Sequence, residues 1–139
     1  MDNKEIVRRV TTEPWTGNYA VIDELVAADF VGHDPALPEP MRGPAGLKQF
    51  FDDFLAAFPD GSQTIETQLA EGDYVATRWT GRGTHKGELM GIPATGKQVT
   101  VSGITISRLS DGKVAEEWAT WDTLGMMQQL GAVPAPTTA

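Results

Sequence analysis

Cysteine is missing from all 139 residues, which excludes disulfides and thiolate metal sites and suits a reducing compartment. Histidine occurs only twice, as His33 and His85, and the two carry no metal-ligand spacing of their own. No apolar run comes near the ~20 residues that a membrane-spanning helix needs. The opening Met1-Asp2-Asn3-Lys4-Glu5 holds no apolar stretch of a secretory signal. Lys and Arg form no run or stripe and the formal net charge is −8, which argues against a nucleic-acid partner; the acidity reads as a solvated surface. These absences predict a cytoplasmic protein that engages neither membrane nor nucleic acid.

What is present is an ordinary globular composition, 40% hydrophobic and 22% charged, in a chain long enough for one continuous core. Neither repeat nor linker divides it, so residues 1–139 are expected to form one domain, with the small, Pro-rich stretch 131–139 a loosely ordered tail. Ile6, Val7 and Val10 mark the apolar face of a first helix from about 3 to 12, which Pro14 stops or kinks. A short second helix over 19–27 buries Val21, Ile22, Leu25 and Val26. From Gly32 to Gly43 three prolines suggest an ordered loop. Pro44 suits the first turn of a third helix, along which Leu47, Phe50, Phe51, Phe54, Leu55 and Phe58 recur at helical spacing. Strands follow near 63–70, 73–86, 98–109 and 113–122, with Gly72-Asp73 and Asp111-Gly112 as hairpin turns. Leu124, Met127 and Leu130 indicate a final turn or two of helix.

Helices first and a strand meander second predict an α+β fold, a curved antiparallel sheet packed on three N-terminal helices. A cavity between sheet and Phe-rich helix is then the natural site for a hydrophobic small-molecule ligand. Side chains alternate along strands, so Trp79 and His85 share an inner face while Arg78 and Arg82 meet water. In 114–122 the same alternation, anchored on Trp118 as core, turns Asp122 inward and Trp121 outward. Between Val99, Val101 and Ile104, Ile106 the apolar parity switches, which predicts a β-bulge near Gly103.

The run Trp79-Thr80-Gly81-Arg82-Gly83-Thr84-His85-Lys86-Gly87-Glu88 to Gly91-Ile92-Pro93-Ala94-Thr95-Gly96-Lys97, and the run Asp111 to Trp118 followed by Asp122 and Gln128-Gln129-Leu130-Gly131, resemble the SnoaL-like polyketide cyclases. With Phe30-Val31-Gly32-His33-Asp34-Pro35 and the Phe-rich helix, the resemblance spans nearly the whole chain. It implies the cone-shaped α+β barrel of the superfamily that includes nuclear transport factor 2 and ketosteroid isomerase. It also implies intramolecular aldol ring closure of a polyketide-like molecule without metal or organic cofactor, one cavity carboxylate acting as general acid/base. The matching positions are Asp122 for the carboxylate and His85 for a helper in the same cavity, with His33 near the mouth. Trp79, Trp118, Phe54 and Trp15 are the expected substrate wall, Pro14 being a departure from an uninterrupted first helix beside Trp15. Sheets of this superfamily commonly pair through their outer faces, so a homodimer or homotetramer is expected with Trp121 near the contact.

Plainer readings stand beside these. Asp122 precedes a helix and can be its N-cap; His85 can be a core histidine bonded to backbone, and His33 a turn residue. The segment 86–97 can be a hairpin loop or a lid. Two histidines and an aspartate also invite a facial-triad iron site, though without a second shell. A relative with the same pocket doing other chemistry (hydroxylation support, isomerisation, epoxide hydrolysis) and a non-catalytic ligand-binding domain are the alternatives to cyclisation.

Overall fold

Asp2 accepts a hydrogen bond from the backbone N–H of Glu5 at 2.8 Å, the capping that opens helix α1 (Asn3–Thr12). The computed structural model describes residues 1–134, so the expectation of a loose tail falls, over 135–139, outside the described residues. Pro14 does not end the helical path. It sits at the start of a 3₁₀ turn, Glu13–Thr16, where its missing N–H costs nothing. That turn carries Trp15 towards the sheet.

Helix α2 (Ala20–Leu25) is shorter than the sequence suggests, because the chain passes directly into strand β1 (Val26–His33). The apolar Val26-Ala27 segment is compatible with either state, and pairing with a distant strand decides it. Strand β2 (Met41–Arg42) precedes helix α3 (Gly43–Ala57), whose Pro44 lies in the first turn. Strands β3 (Ser62–Glu71), β4 (Tyr74–Thr84), β5 (Gln98–Ser110) and β6 (Lys113–Trp121) follow, then helix α4 (Thr123–Leu130). The β3–β4 turn uses Gly72 at φ 58°, and the β5–β6 turn uses Asp111 and Gly112 at φ 52° and 74°, the left-handed angles that twisted two-residue hairpins demand.

The sheet order is β2-β1-β6-β5-β4-β3. All neighbours are antiparallel except β1 and β6, which run parallel, Gly32 opposite Glu117 and His33 opposite Trp118. The curved antiparallel sheet expected is present with one departure: β1, the strand at 26–33 that the local pattern did not reveal, pairs in parallel with β6.

The bulge is also elsewhere than expected. Pairing of β4 with β5 runs unbroken through Trp79 opposite Gly103. Ile104 and Ile106 instead lie on the outer sheet face, 51% and 43% exposed. Gly103 is required by close approach: a Cβ there would stand 2.4 Å from Trp79 Cζ2. In the β5–β6 ladder Arg108 pairs with Glu116 but Leu109 with Val114, leaving Ala115 as an extra residue. One extra residue reverses the pleat. Val114 faces the core and the inward set then becomes Glu117, Ala119 and Trp121. The expected faces of Trp118 and Trp121 are therefore exchanged, Trp118 being exposed on the outer face.

Two apolar clusters hold the layers together. One joins Ile6, Val7, Val10, Ile22, Phe30, Leu47 and Phe51 to Val75, Leu109 and Val114. The other joins Phe58 and Val99 to Leu89, Met126 and Leu130 of the loop and α4. The space between these clusters is the cavity.

Candidate active site

The cavity is a cleft open to solvent, with about 1020 Å³ of non-atom space when the solvent at its mouth is included. Helix α3 contributes Leu47, Phe50, Phe51 and Phe54, and Phe58 follows at its C-terminal end; the 3₁₀ turn gives Trp15; the inner sheet face gives Gln63, Trp79, Val101, Thr105, Glu117, Ala119 and Trp121. The aromatic rings brace one another. Trp15 meets Phe51 edge-on at 5.3 Å, and Phe54 meets Trp121 at 6.3 Å and 78°, both T-shaped contacts.

Each indole in this wall also donates to a polar wall residue. Trp15 Nε1 donates to Gln63 Oε1 at 2.7 Å, and Trp79 Nε1 to Thr105 Oγ1 at 3.0 Å. Trp121 Nε1 donates to Asp34 Oδ2 at 3.0 Å and Oδ1 at 3.2 Å, and Asp34 Oδ1 further accepts from the backbone N–H of Ala36 at 2.9 Å. Both Asp34 oxygens are thus engaged.

Glu117 differs. Its Oε2 accepts from Ser107 Oγ at 2.7 Å, its register partner on β5. Its Oε1 has no protein partner and is not among the sealed, unbonded atoms of the described residues, so it opens to the cavity. Burial pushes the carboxyl up to about 7, against the opposing pull of the Ser107 hydroxyl. A carboxyl with that pKa, open on one oxygen in an apolar cleft, can both take and return a proton near neutral pH.

The structure separates the residues expected to form the site. Trp15, Phe54, Trp79 and His33 line the cavity. The His33 ring nonetheless turns to the outer face, stacked on Trp118 at 5.7 Å, with Nε2 2.8 Å from Glu116 Oε2. The His33 bond, with Arg108 adding to it, holds the Glu116 carboxyl below its ordinary pKa. Trp118 is not a cavity residue, for the parity reason given above. Asp122 is exposed and does not line the cavity. Its side chain accepts from Gly125 N–H at 2.9 Å and caps α4. His85 is fully buried but also absent from the lining; it packs on Phe58, which lines the cleft in its place. Its Nδ1 accepts from the backbone N–H of Thr95 at 3.2 Å, a bond that ties the 86–97 segment to β4.

That segment folds as a hairpin, Leu89 and Ile92 exchanging backbone bonds around Met90-Gly91. Lys86 and Gly87 N–H both donate to Ala57 O at the end of α3, and no residue from 86 to 97 lines the cavity. Among the described residues no group of three or more His, Cys, Asp or Glu side chains is gathered to hold a metal ion, so His33, His85 and Asp122 form no facial triad. Glu117, Ser107, Asp34 and Gln63 were missed by the sequence reading. Correct parity past Ala115 would have turned Glu117 inward; nothing local marks the bulge.

The model of SnoaL-like polyketide cyclases matches residues 5–130. Aklanonic acid methyl ester cyclase DnrD of Streptomyces peucetius is 30% identical over 139 aligned residues, covering 96% of this chain and 92% of the relative. Nogalonic acid methyl ester cyclase of Streptomyces nogalater is 28% identical over 119, covering 84% and 87%. The solved structure of IdmH from Streptomyces antibioticus superposes with a TM-score of 0.82 at 32% identity, covering 94% of this chain and 99% of that one.

Proposed function

This chain belongs to the family of SnoaL-like polyketide cyclases, and on that premise we propose that it closes a ring by intramolecular aldol addition with Glu117 as general acid/base. The observation that carries the assignment is the partly buried Glu117 carboxyl, one oxygen held by Ser107 and the other open to the aromatic cleft it lines, with a pKa raised to about 7. Ionised Glu117 takes a proton from a methylene flanked by carbonyls. The resulting enolate attacks a ketone carbon in the same molecule and forms the C–C bond. The alkoxide so produced takes the proton back from Glu117, so the carboxylate is regenerated and atoms and charge balance. Ser107 orients the carboxylate through Oε2 and leaves Oε1 for the proton. The aromatic walls hold a long flexible substrate folded for closure, the source of proximity acceleration.

The family's carboxylate role therefore passes from Asp122 to Glu117. The test uses the methyl esters of aklanonic and nogalonic acid, the compounds named for the relatives. Glu117→Gln should lower turnover by about 10²–10⁴, while Asp122→Asn should keep it near wild type. Full turnover by Glu117→Gln on either ester refutes the assignment.

The proposal further takes the protein as one cytoplasmic domain over 1–139 that forms a homo-oligomer. Trp121 is committed to the cavity, so the contact between copies is placed on the outer sheet face, where Ile104, Ile106 and Trp118 are all exposed.

A further inference from the structure

The indole bonds in the cavity wall have a chemical consequence. An indole N–H donates and cannot accept. At 2.7 Å from Trp15 Nε1, the Gln63 carboxamide must therefore present its oxygen to the indole, and its NH₂ is turned away. Trp15 is itself held in place: a Cβ on Gly61 would stand 2.7 Å from its ring, and Phe51 backs it edge-on. Gln63 lies on the inner face of β3 opposite Gly81, which has no side chain to fill the space beside it. The Gln63 NH₂ makes no protein hydrogen bond among the described residues and is not sealed from the cavity it lines. Thr105 is constrained likewise: its Oγ accepts from Trp79, and its own hydrogen stays free. The wall thus offers donors at Gln63 and Thr105 and an acceptor at Glu117.

We propose that Gln63, oriented by Trp15, is a specificity-determining residue whose carboxamide N–H groups grip a carbonyl oxygen of the ligand at the end remote from Glu117. The inference rests on the ring-closing function above for the ligand's class, a carbonyl-rich polyketide-like molecule held between aromatic walls. In the sheet order β3 stands three strands from β6, so Gln63 touches the ligand away from the reacting carbon. It acts on binding and KM rather than on kcat, and Trp15 is its positioning residue.

Two soluble probes isolate this contact. Anthraquinone-2-sulfonate and anthracene-2-sulfonate share a tricyclic carbon frame and a sulfonate and differ by two ring carbonyls. Titrated calorimetrically into the full chain, the quinone should bind about tenfold tighter, the scale of one buried hydrogen bond. Gln63→Glu keeps an acceptor for Trp15 but removes both donors, and the quinone preference should fall to near unity. Gln63→Met, similar in length and without donors, should do the same and covers the case in which the acid fails to fold. Trp15→Phe frees the amide to rotate and should shrink the preference, an effect that loss of cavity wall alone, common to both probes, does not produce. A wild-type ratio near one, a preference kept by both Gln63 variants, or no binding of either probe overturns the proposal. Glu117 is tested by turnover and Gln63 by the binding ratio, so either can fail while the other stands.

Discussion

Replacing Glu117 by Gln should change how the stability of the protein depends on pH, and this is measurable without a substrate. In the fold the carboxyl titrates at about 7 because burial opposes its charge; in an unfolded chain an ordinary Glu titrates at about 4.3. Below pH 4 both states hold the proton and the group costs nothing. As pH rises towards 7 the unfolded chain ionises first while the fold retains its proton, so stability is lost across that window and the loss is complete above 7. At about 1.4 kcal/mol per pH unit the full loss is roughly 3–4 kcal/mol, of which about 2.5 kcal/mol falls between pH 5 and pH 8. A glutamine keeps a partner for Ser107 Oγ and cannot ionise. Its own packing offset is the same at every pH, so the difference between the two proteins isolates Glu117 from all other titrating groups. Thermal melts by circular dichroism at pH 5 and pH 8 should show the Glu117→Gln midpoint gaining on wild type by roughly 6–10 °C as pH rises. Parallel midpoints across that range would mean that Glu117 is not a buried, raised carboxyl, and the acid/base assignment would lose its basis.

The remaining predictions concern residues around the site. Asp122→Ala removes the α4 cap and should lower stability by about 1 kcal/mol in urea melts, while Asp122→Asn, which can still cap, should lose much less. Gly103→Ala drives a methyl into Trp79 and against Trp121 Cβ, 2.8 Å away, and should cost on the order of 1–3 kcal/mol by the same measurement. If copies pair through the outer sheet face, Trp118→Glu should shift the sedimentation coefficient towards monomer, whereas Trp121→Phe, changed inside the cavity, should not. Wild-type kcat/KM on a cyclisable methyl ester should rise with pH through about 7 and level off, since the base works ionised.

Local chemistry in the chain was enough for α1, the Phe-bearing helix α3, four strands and their two hairpin turns, because a helical stripe, a Pro at a first turn and Gly-containing turns act within a few residues. The family, and with it the cone-shaped fold, was legible in the Trp79–Lys97 and Asp111–Gly131 runs. So were two cavity residues, Trp79 by plain alternation and Phe54 by helical spacing; Trp15 followed only from the family resemblance. What failed depends on partners far away in sequence. Strand β1 is fixed by its parallel pairing with β6, some 85 residues on, and its opening Val26-Ala27 is compatible with helix as well. On β6 Glu117 faces the cavity because one extra residue at Ala115 reverses the pleat, and only the pairing of β5 with β6 shows that residue to be extra. His85 has the expected inner face, yet Phe58, just past the end of α3, packs against it and lines the cleft in its place. The chain by itself determined which elements form and what kind of cavity they enclose. The tertiary structure decided which side chains reach that cavity, because strand register and the layer packed against each face are set by contacts that local sequence does not encode.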